Sequence, residues 1–196
     1  LADRLGIPFD RTYNEKLKGV SRMESLNLIL DRGKGRDAYT EEVKNALTEE
    51  KNQNYRKLIR TITPADMLPG IRDFLGELRE ADIRTGLASV SKNARYIIDR
   101  LQAGEYFDYI ADAANVRQSK PYPDIFLDCL EHLHVAAGHC IGIEDAQAGI
   151  EAIHRAGMKA VGVGTPDQMQ EADLILGSTA DLNLNRIFSW WKSIGA

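Results

Sequence analysis

Apolar residues recur at helical spacing through the first third of the chain, and in strand-then-helix alternation through the rest. "LADRLGI" reads as the closing turns of a helix that Gly6 stops. In "VSRMESLNLILDRGKG", Ser21 with Glu24 predicts a capping box; Leu26, Ile29 and Leu30 form the apolar face, and Gly33 and Gly35 end the helix. A further helix is predicted from Thr40, with Glu41 and Glu42 in its first turn and an apolar stripe through Val43, Leu47, Tyr55 and Leu58. No convincing strand precedes residue 62, and "TITPADMLPG", with two prolines and a glycine, reads as a hinge.

From residue 70 the pattern predicts helix 70–81, strand 83–89, helix 92–102, strand 109–112, helix 123–133, strand 140–143, helix 146–157, strands 159–164 and 174–177, and a last helix 181–193. Strands that alternate with helices imply an α/β fold, a doubly wound parallel sheet. The expected division is a small helical domain over 1–62 and an α/β core over 63–196.

Composition narrows the partners. A formal charge of −4 on 196 residues, with both signs interspersed, offers no field for nucleic acid or an anionic membrane, so any phosphate must be met locally. No apolar run is long enough to span a bilayer, and a cytoplasmic location is expected. Cys129 and Cys140 are expected to be reduced, packed thiols, and no catalytic role is expected for His132, His134, His139 or His154.

Ligands in open α/β sheets bind outside the carboxyl ends of the strands, which is where the candidate chemistry lies. After the first strand comes "SVSKN", with Ser89, Val90, Ser91, Lys92 and Asn93. These hydroxyls, the amine and backbone N–H groups suit a phosphate or carboxylate, although a serine cap followed by a solvated lysine would read the same. After the second strand, Lys120 precedes Pro121 and Pro123, which stiffen the loop and would hold an ammonium at low reorganisation cost; an exposed loop lysine is the plainer reading. After the third strand, Glu144 and Asp145 either complement a helix dipole or supply paired oxygen donors for Mg²⁺ beside a substrate phosphate.

"LASVSKN", "SKPYPDIF" and "GIEDAQAGI" together resemble the second, third and fourth motifs of the haloacid dehalogenase-like superfamily of phosphatases and phosphomutases. "NEKLKGVSRMESL" and "EEKNQNY" are similar to the cap domain of its β-phosphoglucomutase family, so the resemblance spans nearly the whole chain. It implies a Rossmann-like core with a small helical cap. The family's first motif, a strand ending in D-x-D, has no counterpart in the 196 residues, and the resemblance leads us to expect it upstream of Leu1.

The implied activity is interconversion of β-glucose 1-phosphate and 6-phosphate through an aspartyl phosphate, with Mg²⁺ and glucose 1,6-bisphosphate as cofactors, a small sugar phosphate as the only partner, and a monomer. On this reading Ser89 and Lys120 hold the transferring phosphoryl group, and Glu144 and Asp145 hold part of the Mg²⁺. Ser91, Lys92 and Asn93 meet the second phosphate together with Arg22. Lys18, Gly19, Val20 and Ser21 face the sugar, and Lys51 and Asn52 add a second cap contact. Ser21 also reads as a helix cap, and Arg22 and Lys51 as solvated surface. A sugar-phosphate phosphatase, or an anion- or metal-binding module without a nucleophile, remains an alternative.

Overall fold

The computed structural model describes residues 1–195. They form two compact units, Leu1–Thr61 and Ile62–Ala196.

The first unit is helical: α1 (Ala2–Leu5), α2 (Arg11–Glu15), α3 (Arg22–Asp31) and α4 (Glu41–Ile59). Gly6, in the left-handed region at φ 64°, closes α1 as expected. α2 was not anticipated; Asp10 starts it by accepting the Tyr13 N–H at 2.7 Å. α3 begins where Ser21 Oγ accepts the Glu24 N–H at 3.2 Å, but only this half of the capping box forms. The Glu24 carboxylate turns instead to Asn27 and Arg36, each at 3.5 Å. The core of the unit gathers Ala2, Ile7, Leu26, Ile29, Leu30 and Leu47.

The stripe expected on α4 is only partly buried. Leu47 is inside, whereas Val43, Tyr55 and Leu58 are 43, 41 and 70% exposed. α3 is 10 residues long and α4 is 19, so α3 covers only part of the longer helix.

The second unit alternates α5 (Ile71–Glu80), β1 (Gly86–Leu87), α6 (Ala94–Arg100), β2 (Tyr109–Ile110), α7 (Asp124–Leu133), β3 (Ile141–Glu144), α8 (Gln147–Arg155), β4 (Lys159–Val163), β5 (Leu174–Leu176) and α9 (Leu184–Ser193). Every strand pair is parallel, as the alternation requires, but the ladders form two sheets instead of the single one expected. β1 pairs β2, with Gly86 opposite Tyr109; β3, β4 and β5 form the other sheet, with Val161 opposite both Ile143 and Leu174. β1 and β3 each present one side that no strand among the described residues pairs, and β1 is two residues long where seven were expected.

The larger sheet is covered on both faces. Ala160 of β4 faces a core with Ile125, Phe126, Ile150 and Ile153 from α7 and α8. The next residue, Val161, faces the other way, toward Phe74 of α5, Leu176 and Ile187 of α9. No helix among the described residues is long and apolar enough to cross a membrane.

Asp173 ties β4 to the turn before β5. Its carboxylate accepts the Ala160 N–H at 2.8 Å and the Lys159 ammonium at 3.1 Å, and lies 2.8 Å from His154 Nε2. Burial pushes its pKa up, but these partners outweigh burial and hold the carboxyl below the ordinary aspartate range. A depressed folded-state pKa gives stability that is full above the unfolded value of about 3.9 and is lost as the pH falls through the folded value. Asp173→Asn is therefore expected to lower Tm at pH 7 and to flatten the acid limb of Tm against pH below about 4. An acid limb identical to that of the parent would refute the role.

Candidate active site

Three loops at the carboxyl ends of β1, β2 and β3 carry the core candidates, and Lys120 joins two of them. Its Nζ donates to the Ala88 carbonyl, just past β1, at 3.2 Å, and to Glu144 Oε1 at the end of β3. The lysine is 6% exposed, so it is not the solvated loop lysine of the plainer reading. The loop holding it is braced: Tyr122 N–H donates to the Ser119 carbonyl, and Gln118 N–H to Asp124 Oδ1 at the start of α7. The Lys120–Pro121 peptide is cis.

Glu144 is equally enclosed, with a side chain 9% exposed. Its Oε2 accepts the backbone N–H groups of Asp145 at 2.9 Å and Ala146 at 3.2 Å, where the chain enters α8. Gly149 makes room for this: a Cβ there would lie 2.2 Å from the Glu144 Cδ and 2.4 Å from Oε1. The glycine stands in the first turn of α8, and what it supplies there is space. Asp145, by contrast, is exposed.

Ser89 and Ser91 fold the first loop back on itself: Ser89 Oγ accepts the Ser91 N–H at 3.3 Å and Ser91 Oγ the Asn93 N–H at 3.2 Å. Val90 packs at the rim of the core, Asn93 is half-buried and Lys92 is exposed.

In the helical unit the candidates gather where α3 meets α4. Lys51 Nζ donates to the buried Ser25 Oγ at 2.7 Å, and Arg22 lies 3.9 Å from Glu49. Burial first, and then repulsion from Arg22, hold the Lys51 ammonium below the ordinary lysine range. Two cations in mutual repulsion, one of them desolvated, suit an anion. Gly19 reaches φ 72°, the left-handed region that favours glycine, within the loop of Lys18, Val20 and Ser21. Ser21 caps α3, and Lys18 and Asn52 are half-buried.

Sequence reasoning missed Ser25, which helical spacing from Arg22 could have found, and it missed Gly149 and Phe126. The Phe126 ring lies beneath Lys120, with Nζ 4.9 Å from its centroid. The thiols lie apart from this chemistry. Burial pushes the Cys129 thiol up to about 12, which suppresses the reactive thiolate, and burial also raises Cys140. His132 stacks on Tyr109, and His154 is committed to Asp173.

Glu144 and Asp145 form an all-oxygen donor pair of the kind Mg²⁺ takes. A carboxylate offers about four lone-pair sites, and Lys120 and the two amides occupy three of those on Glu144. No group of three or more His, Cys, Asp or Glu among the described residues is arranged to hold a metal. The pair fits Mg²⁺ as part of a donor set.

A buried lysine bridging two strand ends, set beside paired carboxylates on parallel sheets, is the arrangement of a phosphoryl-transfer core. The chain belongs to the haloacid dehalogenase-like hydrolase family, whose sequence pattern matches residues 2–157. Within that family it is 45% identical over 192 residues to the β-phosphoglucomutase of Bacillus subtilis (strain 168), covering 98% of this chain and 85% of the relative. The crystal structure of a β-phosphoglucomutase from Clostridium difficile superposes with a TM-score of 0.94 at 43% identity, over 98% of this chain and 86% of that one. A phosphorylated carbohydrates phosphatase of Thermotoga maritima is 27% identical over 163 residues, 82% of this chain and 72% of the relative.

Proposed function

We infer that the chain interconverts β-D-glucose 1-phosphate and β-D-glucose 6-phosphate, the activity of a β-phosphoglucomutase, through an aspartyl phosphate and a glucose 1,6-bisphosphate intermediate. The observation that carries this reading is the buried Lys120, bound at once to the Ala88 carbonyl and Glu144. It supplies a fixed positive charge where three motif loops converge. Identity of 45% to the B. subtilis mutase supports the same conclusion.

The aspartate nucleophile is proposed to stand on a strand ahead of Leu1 that enters between β1 and β3. The unpaired sides of both strands support this, because a parallel strand there would satisfy both ladders and complete one doubly wound sheet. The aspartate attacks phosphorus as the phosphorus–oxygen bond to the sugar breaks, and the resulting aspartyl phosphate passes its phosphoryl group to the other sugar hydroxyl. Ser89 and Lys120 hold the phosphoryl oxygens, and the ammonium neutralises the charge that develops on them. Glu144 and Asp145 would hold Mg²⁺ in part, and the ion would supply charge neutralisation when bound.

The helical unit is proposed to act as the cap. Within that unit Arg22 takes a substrate phosphate, and Lys18, Gly19, Val20, Ser21, Lys51 and Asn52 meet the sugar; in the α/β unit Ser91, Lys92 and Asn93 offer donors to a phosphate.

Isomerisation of β-glucose 1-phosphate by the full-length protein, with Mg²⁺ and catalytic glucose 1,6-bisphosphate, tests the proposal, and no isomerisation would overturn it. Reading the gene ahead of Leu1 for an apolar strand followed by D-x-D tests the nucleophile separately. The second reading, a sugar-phosphate phosphatase, is favoured by the likeness to the T. maritima phosphatase. Free phosphate released well beyond isomer formation would select it.

Arg22→Ala is expected to lower kcat/KM about a hundredfold, since a charge-assisted bidentate contact contributes roughly 1.5–3 kcal/mol. Arg22→Lys should recover only part of that, because a point charge replaces a planar fork. Steady-state kinetics of the two variants decide it, and parental kcat/KM in Arg22→Ala would remove Arg22 from phosphate binding.

A further inference from the structure

We propose that Phe126 is a positioning residue for the Lys120 ammonium, its ring serving as a fixed platform that aims the charge at the transferring phosphoryl group. The proposal rests on the reading of Lys120 as a phosphoryl ligand.

An ammonium carries three donors on a flexible four-carbon stem, so a buried lysine holds its direction only if its surroundings fix it. Here one donor goes to the Ala88 carbonyl at 3.2 Å and another to Glu144 Oε1. Neither bond controls the approach from below, where the Phe126 ring lies with its centroid 4.9 Å from Nζ. The negative face of an aromatic ring attracts a cation at this distance, and more strongly when water is excluded, as it is around a lysine that is 6% exposed.

The ring itself is held firmly. Phe126 is 5% exposed and packs with Ile125, Cys129, Ile150 and Ile153 in the core under the larger sheet. Its N–H donates to the carbonyl of Pro123, the N-cap of α7, at 2.9 Å, so the ring stands on the first turn of the helix that follows the Lys120 loop. The ammonium thus has a hydrogen-bonded side, an ion-paired side and an aromatic floor, which leaves one of its three donors for an oxyanion.

The test grades the ring's face without changing its volume. Phenylalanine at 126 is replaced in the full-length enzyme by its 4-fluoro and 3,5-difluoro analogues, with Phe126→Leu as the ring-free variant. Each fluorine withdraws electron density from the face, so kcat should fall stepwise with fluorination and about tenfold in Phe126→Leu, while KM stays within about twofold. Tm of the fluorinated enzymes should match the parent.

A second readout does not depend on activity. The Lys120 ε-methylene protons should be shifted upfield by the ring current, and this shift should vanish in Phe126→Leu but persist in both fluorinated forms. A kcat indifferent to fluorination, or an ε-methylene signal at its ordinary position in the parent, would overturn the proposal. If the parent enzyme shows no mutase turnover, the functional reading falls, and the methylene signal alone decides for or against the ring contact.

Discussion

Lys120→Met is expected to unfold at markedly lower denaturant and to lose nearly all turnover, for two separable reasons. The first is charge burial. Glu144, with a side chain 9% exposed, would keep its two amide donors but lose its only ion-pair partner among the interactions described above. Removing one member of a buried pair leaves the other uncompensated, at a cost of about 3–5 kcal/mol. The second is catalytic: loss of a preorganised positive group aimed at a transferring oxyanion lowers kcat by about 10²–10³. Lys120→Met combined with Glu144→Gln separates the two effects. Neutralising the stranded carboxylate should restore much of the stability and none of the turnover. Urea unfolding and isomerisation assays on the three proteins suffice, and a single variant as stable as the parent would mean that the pair is not the structural bond we take it for.

Gly149→Ala is the second large effect, and it runs against helix propensity. Alanine is the better helix former, by at most about 1 kcal/mol, the helix-interior value, and Gly149 lies in the first turn of α8. Here its methyl would fall 2.2 Å from the Glu144 Cδ, and the three nearest atoms, Cδ, Oε1 and Cγ, all belong to that one side chain. The carboxylate would have to leave its place, losing the Asp145 and Ala146 amides and its bond to Lys120. Overpacking of this kind costs about 1–3 kcal/mol, which outweighs the propensity gain. Displacing a catalytic group by an ångström can cost about a hundredfold in rate, so turnover should fall by that order. The Mg²⁺ concentration needed for half-maximal rate should rise as well, because Asp145 follows Glu144 directly. An active, stabilised Gly149→Ala enzyme would show that Glu144 can turn away without consequence.

What was legible in the sequence was local. Thr40 caps α4 by accepting the Val43 N–H, and α5 and α7 lie within a residue of the predicted ends, because caps and 3.6-residue periodicity act over a single turn. Strand length was not legible. Residues 83–89 carry the right pattern, but only Gly86–Leu87 is held, since a ladder depends on a partner whose presence no local window reports.

The capping box failed in the same way. Glu24 has the right spacing, but Arg36, twelve residues on, draws its carboxylate off. The motif residues Ser89, Lys120, Glu144 and Asp145 could be picked out by type and position at strand ends. The ring under Lys120 and the missing methyl at Gly149 could not, because each matters only through a contact between elements. α4 shows the converse error: Tyr55 and Leu58 have helical spacing but stay exposed, for periodicity marks a face without saying what covers it.

The two bonds of the Lys120 ammonium have a mechanical consequence. At the carboxyl ends of the β1–β2 and β3–β5 ladders one lysine grips both, through the Ala88 carbonyl on one side and Glu144 on the other. The ammonium is a clasp as well as a charge. An oxyanion taken by its third donor draws on the same charge that holds the two ladders, so the grip at this point and the occupancy of the phosphoryl position are coupled.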